Sequence, residues 1–231
     1  MEIRAIKTRI FRENEDLIEF ILKNVKKIPE KSILIVTSKI VALSEGRVSR
    51  LTRKNKEYLI HKESDLAIKT KGTWFTIKDN MVMASAGIDE SNADGKLILL
   101  PKNSYKSAEI LRKKLMQRFK IKNLGVLITD SGFIPLRVGA VGMALGYAGF
   151  EGIRNYLGKK DIFGRILKVS RSDVADGLAT SAVLSMGEGK EQKPLALITD
   201  VPVVFTKKIK KGELIINPKN DIYAPLFNKL S

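Results

Sequence analysis

The stretch "LGVLITDSG", Leu124 to Gly132, is a short apolar run rich in branched side chains that exits abruptly into Asp130 and Ser131. Its length and β-branched content favour a buried strand over a helix. Two companions share the design, "SILIVTSK" (Ser32–Lys39) and "PLALITDVPVVF" (Pro194–Phe205). The repeated "LITD" has no matching flanks at a fixed period, so it reads as coincidence.

Between these strands lie helical patterns. In "ENEDLIEFILKNVKKI", Leu17, Ile18, Ile21, Leu22, Val25 and Ile28 recur at helical spacing, acids first and lysines last, as the helix dipole prefers. "SAEILRKKLMQRF" starts at Ser107 as a plausible N-cap, and "SDVADGLATSAVLSMG" runs from Ser172 as cap to Gly187. Ala175, Ala179 and Ala182 give that last helix a face of small residues, suited to close packing against another backbone. Helices and strands without regular βαβ alternation predict an α+β fold with mixed, largely antiparallel sheets. No proline-rich or low-complexity linker divides residues 1–231, so one interwoven unit is expected, with room for two interwoven subdomains.

Composition narrows the function classes. The chain of 231 residues is 44% hydrophobic, enough for a substantial core. "VGAVGMALGYAGF" (Val138–Phe150) is broken by glycines and falls short of a membrane span, and "MEIRAIKTRIF" lacks the apolar region of a secretory signal, so a cytoplasmic location is expected. With no cysteine and a single histidine, thiolate chemistry and the usual zinc sites are excluded. His61, in "LIHKESD", reads as a solvated loop or edge residue. Any metal must sit mainly on oxygen. The 42 basic and 25 acidic residues leave a net charge of +17, which attracts anions. The lysines are scattered with little aromatic interleaving, so anionic small substrates are expected ahead of nucleic acid.

Three acidic bends are candidates for chemistry. "VMASAGIDESNADG" (Val82–Gly95) crowds Asp89, Glu90, Asn92 and Asp94 around one bend, "ITDSG" sets Asp130 and Ser131 at a strand end, and "SMGEGK" places Glu188 between glycines. Asp, Asn and Gly favour turns for backbone reasons alone. Carboxylates from separate segments equally suit a hard cation, which binds oxygen and keeps waters beside substrate phosphates. Spacing alone leaves both readings open. The glycines of "RVGAVGMALGYAGFEG" lack the ending of a P-loop.

"VTSKIVALSEGR", "VMASAGIDESN", "ITDSGFIPLRVGAVGMALGYAG", "DIFGRIL" and "ADGLATSAVLSMGEG" occur in the order and spacing of motifs of the coenzyme F-420:L-glutamate ligase family, which the chain resembles over roughly Leu34 to Val204. The resemblance implies an intertwined α+β homodimer. It also implies an enzyme that uses GTP or ATP to phosphorylate an acceptor carboxylate, which the amine of L-glutamate then attacks. By the same resemblance Asp89, Asp130, Ser131 and Glu188 fall where the family holds magnesium or manganese. Ser38, Lys39, Glu45, Gly46 and Arg47 match an early motif that resembles a nucleotide or substrate contact, and equally suit a strand-end turn with a salt bridge. Asn92, with Ser91, lines the same pocket or caps the bend; Arg137 binds an anion or is solvated; Asp161, Gly164 and Arg165 match a motif that also suits a structural role.

Several recognition positions depart from the family pattern. "DNMVMASAG" stands for "HGLVMANAG", "DSGFIPLR" for "DSFGRPWR", "NSYKSA" for "DPDxSA", and Leu43 for a lysine. The implied acceptor is an anionic cofactor, the F-420 precursor first and folate second. A non-catalytic protein that binds anions or nucleic acid is the alternative outside the ligase class.

Overall fold

A computed structural model describes residues 1–209 and 212–227. In chain order the elements begin with β1 (Glu2–Ile6), α1 (Leu17–Asn24), β2 (Ser32–Thr37), α2 (Ser38–Ser44), β3 (Val48–Arg50) and α3 (Arg53–Glu63). Next come β4 (Leu66–Lys69), β5 (Trp74–Lys78), β6 (Met81–Ala84), β7 (Lys96–Ile98), α4 (Ser104–Phe119), β8 (Leu124–Phe133) and β9 (Ala140–Ala148). The chain continues through β10 (Ile153–Asn155), β11 (Arg171–Asp173), α5 (Val174–Met186), β12 (Leu195–Thr199) and α6 (Ala224–Phe227).

The main sheet has the order β1-β12-β2-β8-β9, and all of its pairs are antiparallel except β2 with β8. The fold is α+β, as the mixture of elements predicts. Alternation along β2 explains why its four apolar residues are all buried. Leu34 and Val36 join one core with Phe20 and Ile21 of α1, Ile40 and Val41 of α2 and Leu111 and Leu115 of α4. Ile33 and Ile35 join a second core with Ala175, Ala179 and Ala182 of α5. Helices thus cover both faces, which is why these strands read as continuous apolar runs. Each fully buried Leu or Ile contributes roughly 1.5–3 kcal/mol.

The small residues decide how closely the layers approach. A Cβ on Gly142 would stand 2.4 Å from the Ala179 carbonyl oxygen, and one on Gly146 would stand 2.5 Å from the backbone of α4 at Tyr105. Ala179 of the alanine face therefore closes on Gly142, and Gly146 closes on α4, inside the chain.

A smaller lobe carries the antiparallel sheet β4-β5-β6, the pair β3-β7 and α3, around Leu59, Ile60, Ala86, Ile88, Leu97 and Leu99. Its helix α3 has only Leu59 and Ile60 buried, so the sequence carries little periodicity there. His61 lies in this helix rather than in a loop, exposed, with its ring edge-on to Trp74 at 4.8 Å.

Element ends differ from the sequence reading for local reasons. The first helix stops at Asn24 although Val25 and Ile28 are buried, because Val25 is already extended and Pro29 disfavours helix at Ile28. Asn103, not Ser107, caps α4 by accepting from Lys106 N–H, and Asp173, not Ser172, caps α5. The last strand ends at Thr199 because Asp200 turns into the left-handed region at φ 50°. Ser38 and Lys39 open α2 instead of ending β2. Among the described residues no helix is long and apolar enough to cross a membrane.

Candidate functional site

A cavity of about 1100 Å³ opens at the carboxyl ends of β2 and β8, the usual place for a ligand beside parallel strands. The second "LITD" lies at the opposite end of the sheet, since β12 runs antiparallel to β2 and Thr199 pairs with Glu2.

Three of the segments that line the cavity carry the acids read from the sequence. Strand β8 delivers Asp130 and Ser131, and because successive side chains point to opposite faces they reach different helices. Asp130 Oδ1 accepts from Ser38 Oγ at 3.1 Å, at the start of α2. Ser131 Oγ donates to Glu188 Oε1 at 2.6 Å, just beyond α5. The bend after β6 delivers Asp89, whose Oδ1 accepts from Ser91 N–H at 2.7 Å and whose Oδ2 meets Lys39 Nζ at 2.7 Å. Lys39 also donates to the Ser91 carbonyl at 2.8 Å. The acids at this bend therefore serve the turn and the cavity together: one oxygen of Asp89 closes the turn and the other faces an ammonium.

The backbone of that bend is strained. Ser85 (φ 51°), Ala86 (φ 57°), Asn92 (φ 50°) and Asp94 (φ 51°) all lie in the left-handed region that side chains avoid. Satisfied hydrogen bonds hold part of it, with Ala86 N–H donating to the buried Thr76 hydroxyl at 2.8 Å. Strain of this kind, on the order of 1–3 kcal/mol per residue, collects at functional sites.

The electrostatics separate the two aspartates. Burial works against the Asp89 carboxylate, but Lys39 and Ser91 outweigh it and hold the group below the usual carboxylate range. Burial pushes Asp130 up to about 6, the nearby Asp89 charge adding to the rise against the Ser131 N–H, Ser38 and Lys39. Asp130 is thus short of positive charge. Thr129, one residue earlier and also lining the cavity, is 1% exposed, and its hydroxyl has no hydrogen-bond partner. Such an orphan costs about 1–3 kcal/mol. A register shift between Ile128 and Thr129, where the partner residue jumps from Gly146 to Ala144, marks a β-bulge at the entrance to the site.

These features fit a bound cation with a partly aqueous or substrate shell. Among the described residues no three His, Cys, Asp or Glu side chains gather tightly enough to cage a metal by themselves. What the cavity offers is a hard-oxygen set of Asp89, Asp130, Ser131 and Glu188, together with an under-compensated carboxylate and an orphan hydroxyl.

The remaining candidates divide. Ser38, Lys39, Ser91 and Asn92 line the cavity, and Asn92 Nδ2 donates to the Gly189 carbonyl at 3.2 Å, tying the bend to the turn after α5. Glu45 lies outside it, accepting from Lys102 N–H at 2.8 Å and Ser107 Oγ at 2.7 Å. Arg47 is committed to the smaller lobe through the Leu100 carbonyl at 3.0 Å and Glu63 at 2.7 Å. Arg137 is on the exposed turn between β8 and β9, outside the cavity. Asp161 closes a turn by accepting from Phe163 and Arg165 N–H, at 2.9 and 2.8 Å.

The sequence reading missed Thr8, Arg9 and Arg12, which line the cavity from the segment after β1, and Lys190 and Lys193 beyond Glu188. Basic residues are too common in this chain to single these out; proximity to "SMGEGK" is the only signal for the last two.

Residues 5–200 match the family described as F420-0:Gamma-glutamyl ligase. A coenzyme F420:L-glutamate ligase of Methanococcus maripaludis is 33% identical, with 96% of this chain and 97% of the relative covered. One from Archaeoglobus fulgidus is 30% identical over 84% of this chain and 85% of the relative. One from Methanocaldococcus jannaschii reaches 40% identity over 62% of this chain and 57% of the relative. With nearly its whole length aligned and its acids gathered at one cavity, the chain belongs to the F420-0:gamma-glutamyl ligase family.

Proposed function

We propose that this chain is a nucleoside-triphosphate- and divalent-metal-dependent ligase that joins L-glutamate to a carboxylate of an anionic cofactor precursor, the coenzyme F-420 precursor first. The observation that carries the reading is the pairing of the under-compensated Asp130 with Asp89, Ser131 and Glu188 around one cavity that also holds Lys39. The family membership supports the reaction class.

In this reading an acceptor carboxylate oxygen attacks the terminal phosphorus of GTP or ATP, and the bond to the diphosphate breaks. The amine of glutamate then attacks the acyl carbon, phosphate leaves, and a proton is released as the amide forms. Asp89, Asp130, Ser131 and Glu188 would hold magnesium or manganese, which when bound neutralises phosphate charge. Ser38, Lys39 and Asn92, beside these acids, contact the nucleotide or substrate, and Lys39 supplies a cation for phosphate.

One observation favours folate as a second acceptor. Phe133, where the family pattern has a different side chain, lines the cavity mouth and is 60% exposed. An uncovered ring there suits a flat, less charged ring system by stacking. Protein incubated with glutamate, manganese and either GTP or ATP, with each acceptor offered separately, should add glutamate to the F-420 precursor, read by mass. Extension of tetrahydrofolate alone would reverse the order of acceptors, and extension of neither would leave an anion binder. Phe133→Ala should raise the KM for the acceptor about fivefold while leaving the KM for nucleotide unchanged.

A homodimer belongs to the same proposal. The arm between β8 and β9 exposes Ile134, Leu136 and Val138, and the 156–170 segment exposes Ile162, Phe163 and Val169, more apolar surface than a solvated loop requires. Light scattering should give about twice the 25.8 kDa of one chain; a monomer at low micromolar concentration would contradict it.

A further inference from the structure

Every other buried hydroxyl among the described residues has a partner. Thr76, fully buried, donates to the Met83 carbonyl at 2.7 Å and accepts from Ala86 N–H; Ser32 donates to the Pro29 carbonyl at 2.7 Å; Thr8 donates to the Arg9 carbonyl at 2.7 Å. Ser38 donates to Asp130, and Ser85 shares a hydrogen bond with Thr73 at 3.0 Å. Thr129 alone is left over. A valine has nearly the same shape, suits a buried strand, and would avoid the loss of an unmade hydrogen bond. The fold by itself therefore gives no reason for a hydroxyl at this position.

Its placement gives one. Thr129 shares a face of β8 with Leu127 and Ser131, immediately precedes Asp130, and lines the cavity at the bulge. Two residues on, Ser131 reaches Glu188 on that same face, while Lys39 serves the bend on the other side of Asp130. The hydroxyl therefore lies at the wall of a cavity that also holds Lys39.

We propose that Thr129 is a ligand-contacting residue of this cavity. Its hydroxyl is kept unpaired by the protein alone and donates a hydrogen bond to a phosphate oxygen of the bound nucleotide. The inference rests on the nucleotide-dependent reading above and adds a contact that none of the acidic motifs implies. No covalent step is asked of Thr129; it positions the phosphate.

The experiment measures two properties of Thr129→Val and Thr129→Ser beside the unchanged protein: the melting temperature without ligand, and calorimetric affinity for GTP and for ATP with manganese. Thr129→Val should melt at the same temperature or higher, since an unmade hydrogen bond is removed, yet bind nucleotide about tenfold more weakly. Thr129→Ser, which keeps the hydroxyl, should bind within about threefold of the unchanged protein. Nucleotide affinity unaltered in Thr129→Val would remove Thr129 from the ligand while leaving the proposed function intact. A fall of several degrees in the melting temperature of Thr129→Val would show that the hydroxyl is bonded within the fold and would equally overturn the proposal. If the unchanged protein binds neither nucleotide, the nucleotide-dependent function fails first and this contact fails with it.

Discussion

Two carboxylates, Glu63 in the smaller lobe and Asp130 at the cavity, are each drawn partly out of water, and they have been treated oppositely. Glu63 receives Arg47 at 2.7 Å and Lys78 at 3.2 Å, while Lys78 also donates to the Glu63 carbonyl at 2.8 Å. Burial disfavours its charge, but the two cations overcome that, and the group sits below its usual range. Asp130 has one serine, a backbone N–H and a distant share of Lys39, faces Asp89, and sits well above its usual range. Next to Asp130 is an orphan hydroxyl; around Glu63 the polar atoms are matched. Where charge is fully answered within the chain it ties elements together, and where it is left short it waits for something from outside. The difference marks the cavity as the candidate site independently of any motif.

The sharpest break of this contrast is Asp130→Asn. It should lower manganese affinity by roughly a hundredfold or more while leaving stability without metal within about 1 kcal/mol, because the lost Ser38 contact is offset by relief from burial and from Asp89. Unchanged calorimetric manganese binding would take Asp130 out of the site. The reverse pattern belongs to Glu63→Gln. It leaves Arg47 and Lys78 without their counter-charge and should cost about 2 kcal/mol in urea unfolding, with nucleotide and manganese affinity unaltered. A loss of binding as large as that of Asp130→Asn would erase the distinction between the two regions.

Acid titration tests the sign. The folded value of Asp130, about 6, lies above its ordinary 3.8. Its contribution to stability is therefore fully present at low pH and is lost as pH rises through about 6. Glu63, held below its ordinary 4.5, contributes above that value and loses its contribution as pH falls through its depressed value. Urea unfolding of the metal-free protein, compared with Asp130→Asn between pH 4 and 6.5, should show the unchanged protein losing ground to the variant as pH rises, by roughly 2 kcal/mol. A constant difference would mean that Asp130 titrates alike in the folded and unfolded chains.

What the sequence by itself determined follows from which signals survive without neighbours. Strands β2, β8 and β12 were legible because helices cover both of their faces, leaving unbroken apolar runs, and α1, α4 and α5 because one face of each is apolar and their ends carry capping residues. Helix α3 and strands β4 to β6 were not, since half-buried elements of a small lobe mix polar and apolar residues without a clean period. The order of motifs pointed to Asp89, Asp130, Ser131 and Glu188 from sequence similarity, a likeness between chains rather than a physical derivation. Only the tertiary structure decided that Lys39 faces Asp89, that Glu45 and Arg47 are spent elsewhere, and that Ala179 closes on Gly142 within one chain. It alone singled out Thr129, because whether a buried hydroxyl is satisfied depends on strands and helices distant in sequence, and a threonine in an apolar run looks the same in either case.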